Sequence, residues 1–307
     1  MRLSLSDLRL FVVVAEQANL THAAALVHLS LTATSTRIRA IEEQAGMALL
    51  ERQARGVRLT PAGEAFAHHA RLMLQQAESL RAELQEYGGG LQGHVRVFAN
   101  TTAMTEFMPE ILAGFLAAQP RVTVGLKEHA NHEIARGVRE GRADLGIAAG
   151  AVDPQGLDAL HFATDRLVLV CARRHRLARR AKVALAEVLG EAFVGMHEDS
   201  TIARFLTRVV EEMGMAAPKL RVQVSSFDAM CRMVEAGVGL GLAPESAAQR
   251  HQAAGMGIAL VALKDDWALR QRYLLTRQGQ RLPAYAHELI ARICAHHGTV
   301  WPGPARP

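Results

Sequence analysis

Short hydroxyl side chains and arginines are concentrated in two stretches near the start of the chain, residues 32–39 and 52–58. Hydroxyls and guanidinium groups are the side chains that hydrogen-bond to base edges and to phosphate oxygens. The sequence therefore predicts an interface for double-stranded DNA. Its candidate residues are Thr32, Thr34, Ser35, Thr36, Arg37, Arg39, Arg52, Arg55 and Arg58.

The first stretch belongs to a segment, residues 21–45, that is predicted to form two short helices joined by a tight turn. Thr21 can cap the first helix and Ser30 the second. An inward stripe recurs at helical spacing and directs the remaining polar groups outward; it consists of Thr34, Ile38, Ile41 and Ala45. The alternative is an ordinary helical hairpin with a polar surface.

The second stretch lies in residues 50–63, whose polarity alternates on either side of Gly56. This pattern predicts a β-hairpin. Such a hairpin is the wing of a winged DNA-binding domain. Its cationic side chains, Arg52, Arg55 and Arg58, could contact DNA phosphates or enter a minor groove.

Together these segments resemble the winged helix-turn-helix of the LysR-type transcriptional regulators. The residues that carry the resemblance are Phe11, Ala23-Ala24-Ala25, Leu29-Ser30, Ser35, Ile38, Glu42-Glu43, Gly46, Leu49, Glu51-Arg52 and Leu59-Thr60-Pro61-Ala62-Gly63. The chain departs from the family pattern at four positions. The family usually has glutamine at Leu31, valine at Thr34, arginine at Thr36 and phenylalanine at Leu50. These departures bear on which operator sequence is bound.

Length and composition favour a multidomain protein with a polyanionic partner. A chain of 307 residues is longer than one hydrophobic core normally supports, and its net charge of +5 is compatible with binding nucleic acid.

The sequence shows no sign of a membrane segment or a signal peptide. Asp7, Arg9 and Glu16 interrupt the apolar N-terminal residues, and no apolar stretch of about 18 residues occurs, so a cytoplasmic protein without membrane contact is expected. Cys171 and the two other cysteines lie far apart, which argues against disulfides and metal sites.

Residues 60–87 predict one long helix with a coiled-coil seam. The seam residues are separated alternately by four and three positions; they are Phe66, Ala70, Met73, Ala77, Leu80, Leu84 and Tyr87. We therefore expect a homodimer, with a single amphipathic helix packed on its own domain as the alternative. Gly88-Gly89-Gly90 would end the helix as a hinge. The resemblance implies the same linker role and a common assembly as a homotetramer, a dimer of dimers.

From about Leu91 onward, apolar runs alternate with helical stretches, as in an α/β sheet. The predicted strands are 95–99, 122–126, 145–148, 167–172, 193–196, 220–224, 238–243, 258–261 and 271–275, and the predicted helices are 104–118, 134–140 and 282–296. The resemblance implies two subdomains of a periplasmic-binding-protein fold, the last strand and helix returning to the first. The expected class is α/β with an all-α winged helix-turn-helix head. Its predicted parts are a head (1–60), a linker helix and hinge (61–90) and an effector domain (91–300), with subdomain I at 91–163 plus 269–300 and subdomain II at 164–268.

Polar residues follow several predicted strands, where a ligand of an open α/β sheet is expected to bind. Anions favour the free N–H groups of helix N-termini there. The candidate effector-binding residues are Asn100, Thr101, Thr102, Ala149, His197, Ser200, Thr201, Ser226 and Phe227. The alternative is that the hydroxyls serve only as helix caps. The resemblance implies a small metabolite, often an organic acid, bound between the subdomains.

Enzyme motifs are absent from the sequence. The glycines at 237, 239 and 241 do not make a Gly-x-Gly-x-x-Gly loop, and neither His-Glu-x-x-His nor Gly-x-Ser-x-Gly occurs. No catalytic, cofactor or metal site is therefore predicted. The sequence favours a ligand-responsive transcription regulator. A solute-binding module without regulatory output is the alternative, and an α/β enzyme with a DNA-binding appendage is a third possibility.

Overall fold

The computed structural model describes residues 3–53, 56–87, 93–198 and 200–303. These residues divide into two units: one is built mainly from Met1–Gly93, and the other holds most of the remaining chain. None of the helices in the described ranges is both long and apolar enough to cross a bilayer.

The first unit begins with three helices and a two-stranded hairpin, here called the head. Its elements are α1 (Leu5–Gln17), α2 (Leu20–Leu26), α3 (Leu31–Ala45), β1 (Leu50–Gln53) and β2 (Gly56–Leu59). The predicted Ser30 cap is confirmed, because its hydroxyl accepts from the N–H of Ala33 at 3.1 Å. The predicted Thr21 cap is wrong. The cap lies two residues earlier, because α2 begins at Leu20 and the Asn19 side chain accepts from the N–H groups of Thr21 and His22.

A long helix, α4 (Pro61–Tyr87), follows the hairpin and shares the core of the head. Phe66 of α4 meets Phe11 of α1 edge to face, with ring centroids 4.7 Å apart. The hairpin is docked on the end of α1 by the Val57 N–H, which donates to the Ala18 carbonyl at 2.8 Å. This close approach requires glycine at position 56, because a Cβ there would lie 2.3 Å from the Ala18 oxygen.

The second unit is an α/β domain of two subdomains. Subdomain I comprises β3 (Gly93–Ala99), α5 (Thr101–Glu106), α6 (Met108–Ala118), β4 (Val122–Glu128), α7 (Asn131–Arg139), β5 (Leu145–Ala149) and two later elements, β12 (Leu269–Arg277) and α11 (Ala284–His296). Subdomain II comprises β7 (Lys182–Val183), β8 (Ala192–Met196), α8 (Thr201–Glu212), β9 (Lys219–Val224), α9 (Phe227–Glu235), β10 (Gly241–Pro244), α10 (Glu245–Ala253) and β11 (Ile258–Leu263). The strand β6 (Leu157–Ala172) runs through both.

Strand pairing explains how the subdomains are joined. The first part of β6, up to Arg166, pairs antiparallel with β12, whereas its second part, from Leu167, pairs with β10 and β11. The order of the larger sheet is β4-β3-β5-β12-β6-β11-β7, and β8 and β9 form a separate parallel pair. The α11 helix packs on α6. The two subdomains are therefore linked where β6 and the start of β12 lie side by side.

The sequence pattern predicted which segments form strands better than it predicted where helices and strands begin and end. The predicted helix 104–118 is two helices in the structure, divided at Phe107, whose extended φ of −134° ends α5 just before Pro109. Strand β6 begins ten residues before the predicted one, because its first half is paired with β12 rather than fully buried. The predicted strand 238–243 is reduced to Gly241–Pro244, and α8, α9 and α10 were not predicted.

Candidate DNA-binding and effector-binding sites

The α3 helix presents a polar outer face, as expected from its inward stripe. Thr32, Thr36 and Arg39 are exposed, and Ser35 and Arg37 are half-buried. Thr34 is fully buried in the head and its hydroxyl has no hydrogen-bond partner among the described residues. The structure thus removes Thr34 from the candidate DNA contacts, because it lies on the packed side of the helix.

The predicted arginines divide into groups with different neighbours. Arg52 of the hairpin donates to the Ser35 hydroxyl of α3 at 3.4 Å, which brings the hairpin and α3 candidates together. Arg58 pairs with Glu51 across the hairpin at 2.9 Å, and Arg37 pairs with Asp7 of α1 at 3.0 Å. Arg55 lies outside the described residues.

Glu42 fixes the hairpin relative to α3. Its carboxylate oxygen accepts from the N–H groups of Leu49 at 2.8 Å and Leu50 at 3.0 Å. These two donors lie at the start of β1, so a single side chain of α3 sets where the hairpin begins. Glu42 is therefore a positioning residue for the candidate DNA-binding surface.

Replacing Glu42 with alanine should destabilise the head and weaken operator binding. The substitution leaves two partly buried N–H groups without their acceptor, each worth about 1–3 kcal/mol. Thermal unfolding and a gel-shift titration of the same sample measure the two effects. Glu43→Ala is the matched control, since Glu43 is exposed on the same helix. Equal behaviour of the two variants would refute the positioning role.

The long helix α4 carries apolar side chains beyond the part that packs on the head. Ala70 is buried with the head, but Met73, Leu80 and Leu84 are 54–62 % exposed within one chain. The side chain of Tyr87 and the three glycines after it lie outside the described residues. Within the described residues, the predicted seam is therefore buried against the head at Ala70 and exposed to solvent at Met73, Leu80 and Leu84.

Three of the nine strand-end candidates of the effector domain act as helix caps. The side chains of Asn100, Ser200 and Ser226 accept from the N–H groups three residues on, at 3.0–3.2 Å. Thr101 donates to Glu128 at 2.5 Å, and Thr102 is 5 % exposed. His197 is half-buried, and Phe227 is packed into the core of subdomain II. Capping thus occupies several of the hydroxyls that the sequence offered for a ligand.

Two of the candidates, Ala149 and Thr201, line a cavity of about 320 Å³ between the subdomains. Subdomain I contributes α7 and the segment after β5, and subdomain II contributes one face of α8. The described lining residues are Ala130, Asn131, His132, Ala135, Arg139, Ala149, Gly150, Ala151, Val152, Asp153, Thr201, Arg204, Phe205, Arg208 and Arg270. The Thr201 hydroxyl is buried there with no described partner. We call this space the inter-subdomain cavity.

Arg270 is the most buried cation of the inter-subdomain cavity. The residue is only 4 % exposed, and one guanidinium nitrogen donates to the Ala149 carbonyl at 3.2 Å. Its Nε has no described partner, and its guanidinium carbon lies 4.8 Å from the Phe205 ring centroid. Burial lowers the pKa of Arg270 to about 10, so the side chain stays charged at neutral pH.

The carboxylate near Arg270 is shared with a second arginine. Asp165 contacts Arg272 at 2.8 Å, and both of these side chains are less than 10 % exposed. Asp165 is therefore already paired with Arg272, and Arg270 has no ion pair among the described residues. A buried cation in this situation favours a bound anion.

The subdomains also touch directly through an ion pair. Arg250 of α10 donates to the Glu106 carboxylate of α5 at 3.0 Å, and Glu106 is nearly buried. This contact and the cavity both lie between subdomains I and II.

A second cavity, of about 370 Å³, lies within subdomain II between α8 and the β8-β9 pair. Its floor is apolar and includes Phe193, Ile202, Leu206 and Met230. The inter-subdomain cavity is the better candidate for an anion, because its lining adds Arg139 of α7 and the buried Arg270 of β12 to Arg204 and Arg208 of α8, which line both cavities.

The arginines of the inter-subdomain cavity were missed by sequence reasoning. Arg204 and Arg208 stand one turn apart after the Ser200 cap, a spacing that could have marked one face of α8. Arg139 lies within the predicted helix 134–140, and Arg270 lies just before the predicted strand 271–275, whereas the predicted ligand positions follow the strands. The three cysteines are buried, and burial raises the pKa of Cys171 and Cys231 to about 11, so these thiols are poor nucleophiles at neutral pH.

Comparison with known proteins identifies both units. Residues 5–64 match the bacterial regulatory helix-turn-helix protein, lysR family, and residues 88–297 match the LysR substrate binding domain. A probable RuBisCO transcriptional regulator of Cyanidioschyzon merolae is 27 % identical over 241 residues, covering 77 % of this chain and 80 % of that protein.

Two solved structures show the same fold. Full-length OxyR C199D from Pseudomonas aeruginosa has a TM-score of 0.75 at 22 % identity, covering 100 % of both chains. The CcmR regulatory domain of Synechocystis PCC6803, in complex with 2-PG, has a TM-score of 0.58 at 20 % identity, covering 67 % of this chain and 98 % of that one. The two matches to LysR models span the head and the effector domain, and the chain belongs to the LysR family of transcription regulators.

Proposed function

We propose that an organic anion binds in the inter-subdomain cavity and thereby changes how the paired heads bind their operator. The observation that carries this proposal is the set of arginines that both subdomains direct to one cavity. The bound 2-PG of the CcmR regulatory domain supports a small ligand in a domain of this fold. The regulator performs no chemistry on its ligand.

Binding can act on the subdomains because the ligand would touch both. A ligand that contacts both α7 and α8 binds most tightly when the two subdomains hold these helices close to each other. It therefore shifts the population of the protein toward that arrangement of the subdomains. The Arg250–Glu106 contact is a further interaction that depends on this arrangement. Any resulting change in operator affinity must be reciprocal, so operator DNA alters ligand affinity by the same factor.

We further propose that two chains pair through α4. The exposed Met73, Leu80 and Leu84 support this, because a seam of apolar side chains is covered when a second helix packs on it. Paired heads would read two half-sites, with Thr32, Ser35, Thr36, Arg37, Arg39, Arg52, Arg55 and Arg58 as the candidate contacts. A dimer of dimers is the proposed larger assembly, and a cytoplasmic location follows from access to DNA.

The test begins with a thermal-shift screen of small metabolites on the full chain. Each stabilising compound is then added to a gel-shift titration with the operator. We expect at least one anionic compound to stabilise the protein and to change operator affinity, and operator DNA to change the affinity for that compound equally. Stabilising compounds that all leave operator affinity unchanged would contradict the proposal.

Thr201→Val should weaken the binding of this compound while leaving the fold intact. The substitution keeps the side-chain shape and removes a buried hydroxyl that has no described partner. A hydrogen bond to a charged group is worth about 1.5–3 kcal/mol, so we expect a roughly ten- to hundredfold loss by calorimetry. Thr207→Val is the matched control on α8, because its hydroxyl bonds to the Ala203 carbonyl and lies outside this cavity. Unchanged affinity in Thr201→Val would place the ligand elsewhere.

A further inference from the structure

We propose that the cavity within subdomain II is a ligand site of its own, for a neutral and mainly apolar compound about the size of a two-ring aromatic. This cavity of about 370 Å³ lies between α8 and the β8-β9 pair, and we call it the apolar cavity. It is a different space from the inter-subdomain cavity, so the proposal does not depend on the function proposed above.

The α8 helix separates the two cavities and presents a different face to each. Thr201 and Phe205 line the inter-subdomain cavity and not the apolar one. Ile202, Leu206 and Val210 line the apolar cavity and not the other. These three residues recur every four positions, so they form one apolar stripe along the helix. Each cavity can therefore hold its own ligand.

The inner wall of the apolar cavity consists of large apolar side chains. Phe193, Met196, Ile202, Met230 and Leu242 line it, and each is at most 6 % exposed. Methionine side chains are flexible and polarizable, so they adapt to the shape of an apolar ligand. A site of this composition binds by removing apolar ligand surface from water, and it leaves a buried charge without compensation.

The charged residues at the edge of the apolar cavity cancel one another. Among the described lining residues, Glu198 and Glu211 are carboxylates, and Arg204 and Arg208 are guanidinium groups. All four are exposed. The lining therefore has no net charge that would select an ion, and a neutral ligand is expected.

The volume of the apolar cavity sets the size of its ligand. An apolar cavity of about 150 Å³ holds benzene, so a space of about 370 Å³ has room for two rings. Met215 and Leu220, which also line it, are 38 % and 45 % exposed. Exposed members of a lining mark the side on which a cavity opens to solvent, so a ligand can enter past these two side chains.

Gly195 of β8 keeps part of this space open. A Cβ at this position would lie 3.0 Å from Cδ2 of Leu220 and 3.7 Å from Cγ of Gln223, and all three residues line the apolar cavity. Gly195 is not among the glycines with positive φ, so its backbone conformation accepts a larger residue. A side chain introduced at position 195 would therefore occupy the cavity without straining the strand.

The experiment uses 2-naphthol as the probe and phenol as its one-ring control. Calorimetry on the full chain at pH 7 measures both affinities. We expect 2-naphthol to bind at least about tenfold more tightly than phenol, because its second ring buries additional apolar surface. Displacing 2-naphthol should take at least about tenfold more 2-naphthoate than unlabelled 2-naphthol, because the carboxylate must be desolvated.

Two variants fill the apolar cavity from opposite walls. Gly195→Val on β8 and Ala203→Leu on α8 should each weaken 2-naphthol binding at least about tenfold, because the added side chain takes the place of the ligand. Thermal unfolding of the same samples shows whether each variant is folded, and either folded variant is sufficient to decide. Gly190→Val is the matched control and should bind 2-naphthol normally, because position 190 is outside the lining and a Cβ there has no neighbour within 4 Å.

Several results would overturn the proposal. Phenol binding as tightly as 2-naphthol would refute the two-ring size, and equally effective displacement by 2-naphthoate would refute the neutral class. Unchanged 2-naphthol affinity in a folded filling variant would place the probe elsewhere. A second copy of this chain seated over Met215 and Leu220 is the competing occupant. Fewer subunits in Leu220→Asp by light scattering, together with no 2-naphthol binding to the unaltered protein, would assign this face to that second copy.

Discussion

Raising the salt concentration from about 50 to about 200 mM should lower operator affinity by roughly 10⁴-fold. This estimate assumes that a dimer makes about eight phosphate contacts, each of which releases condensed cations from DNA. Arg39 and Arg52 are exposed and available for such contacts. Gel-shift or fluorescence titrations across a salt series measure the slope directly.

Substitutions within the candidate DNA-binding surface should separate two kinds of contact. Arg52→Gln should weaken binding to all DNA sequences similarly, as expected for a phosphate contact. It should also reduce by about 1 the slope of log affinity against log salt concentration. Thr36→Val should weaken binding to the operator more than binding to unrelated DNA, as expected for a group that hydrogen-bonds to a base edge. Arg174→Gln, on an exposed turn after β6, removes the same charge outside the head and serves as the control for the change in net charge. Operator binding that does not depend on salt would contradict the arginine-rich interface.

Leu80→Asp should convert the proposed dimer into monomers and lower operator affinity by at least about a hundredfold. Leu80 is 54 % exposed in one chain, so an aspartate there is harmless to the monomer. In a paired seam the same carboxylate would be buried without a partner, which is strongly destabilising. Operator affinity falls because the second head no longer binds as part of one molecule.

Two control variants test whether the seam itself is responsible. Leu80→Met keeps an apolar side chain and should remain dimeric. Gln76→Asp adds the same charge at an exposed position of α4 outside the seam and should also remain dimeric. Light scattering measures subunit number, and circular dichroism confirms that α4 is still helical. A dimer that survives Leu80→Asp would require another interface.

Much of the head could be predicted from the sequence because its determinants are local. Ser30 caps α3 through a bond to a residue three positions on, and Ile38 and Ile41 of the inward stripe are buried at helical spacing. Thr21 illustrates the limit. Both Asn19 and Thr21 can cap a helix, and a difference of two residues in where α2 begins decides between them.

The effector domain shows a different division between sequence and tertiary structure. Its buried strands could be predicted, because apolar runs are readable from the chain alone. The side chains of Asn100, Ser200 and Ser226 also follow strands as predicted, but each bonds to a nearby backbone N–H. A polar group at the end of a strand looks the same in the sequence whether it caps a helix or binds a ligand.

By itself, the sequence determined the family, the order of the domains and the outward face of α3, since these depend on residues within a few positions of each other. Only the tertiary structure decided the lining of the inter-subdomain cavity. Arg270 reaches the Ala149 carbonyl across 121 residues, because β12 returns to lie beside β5 and β6. Arg208 joins it from α8 of the other subdomain. Strand pairing between distant segments places these charges together, and no local spacing in the chain records that pairing.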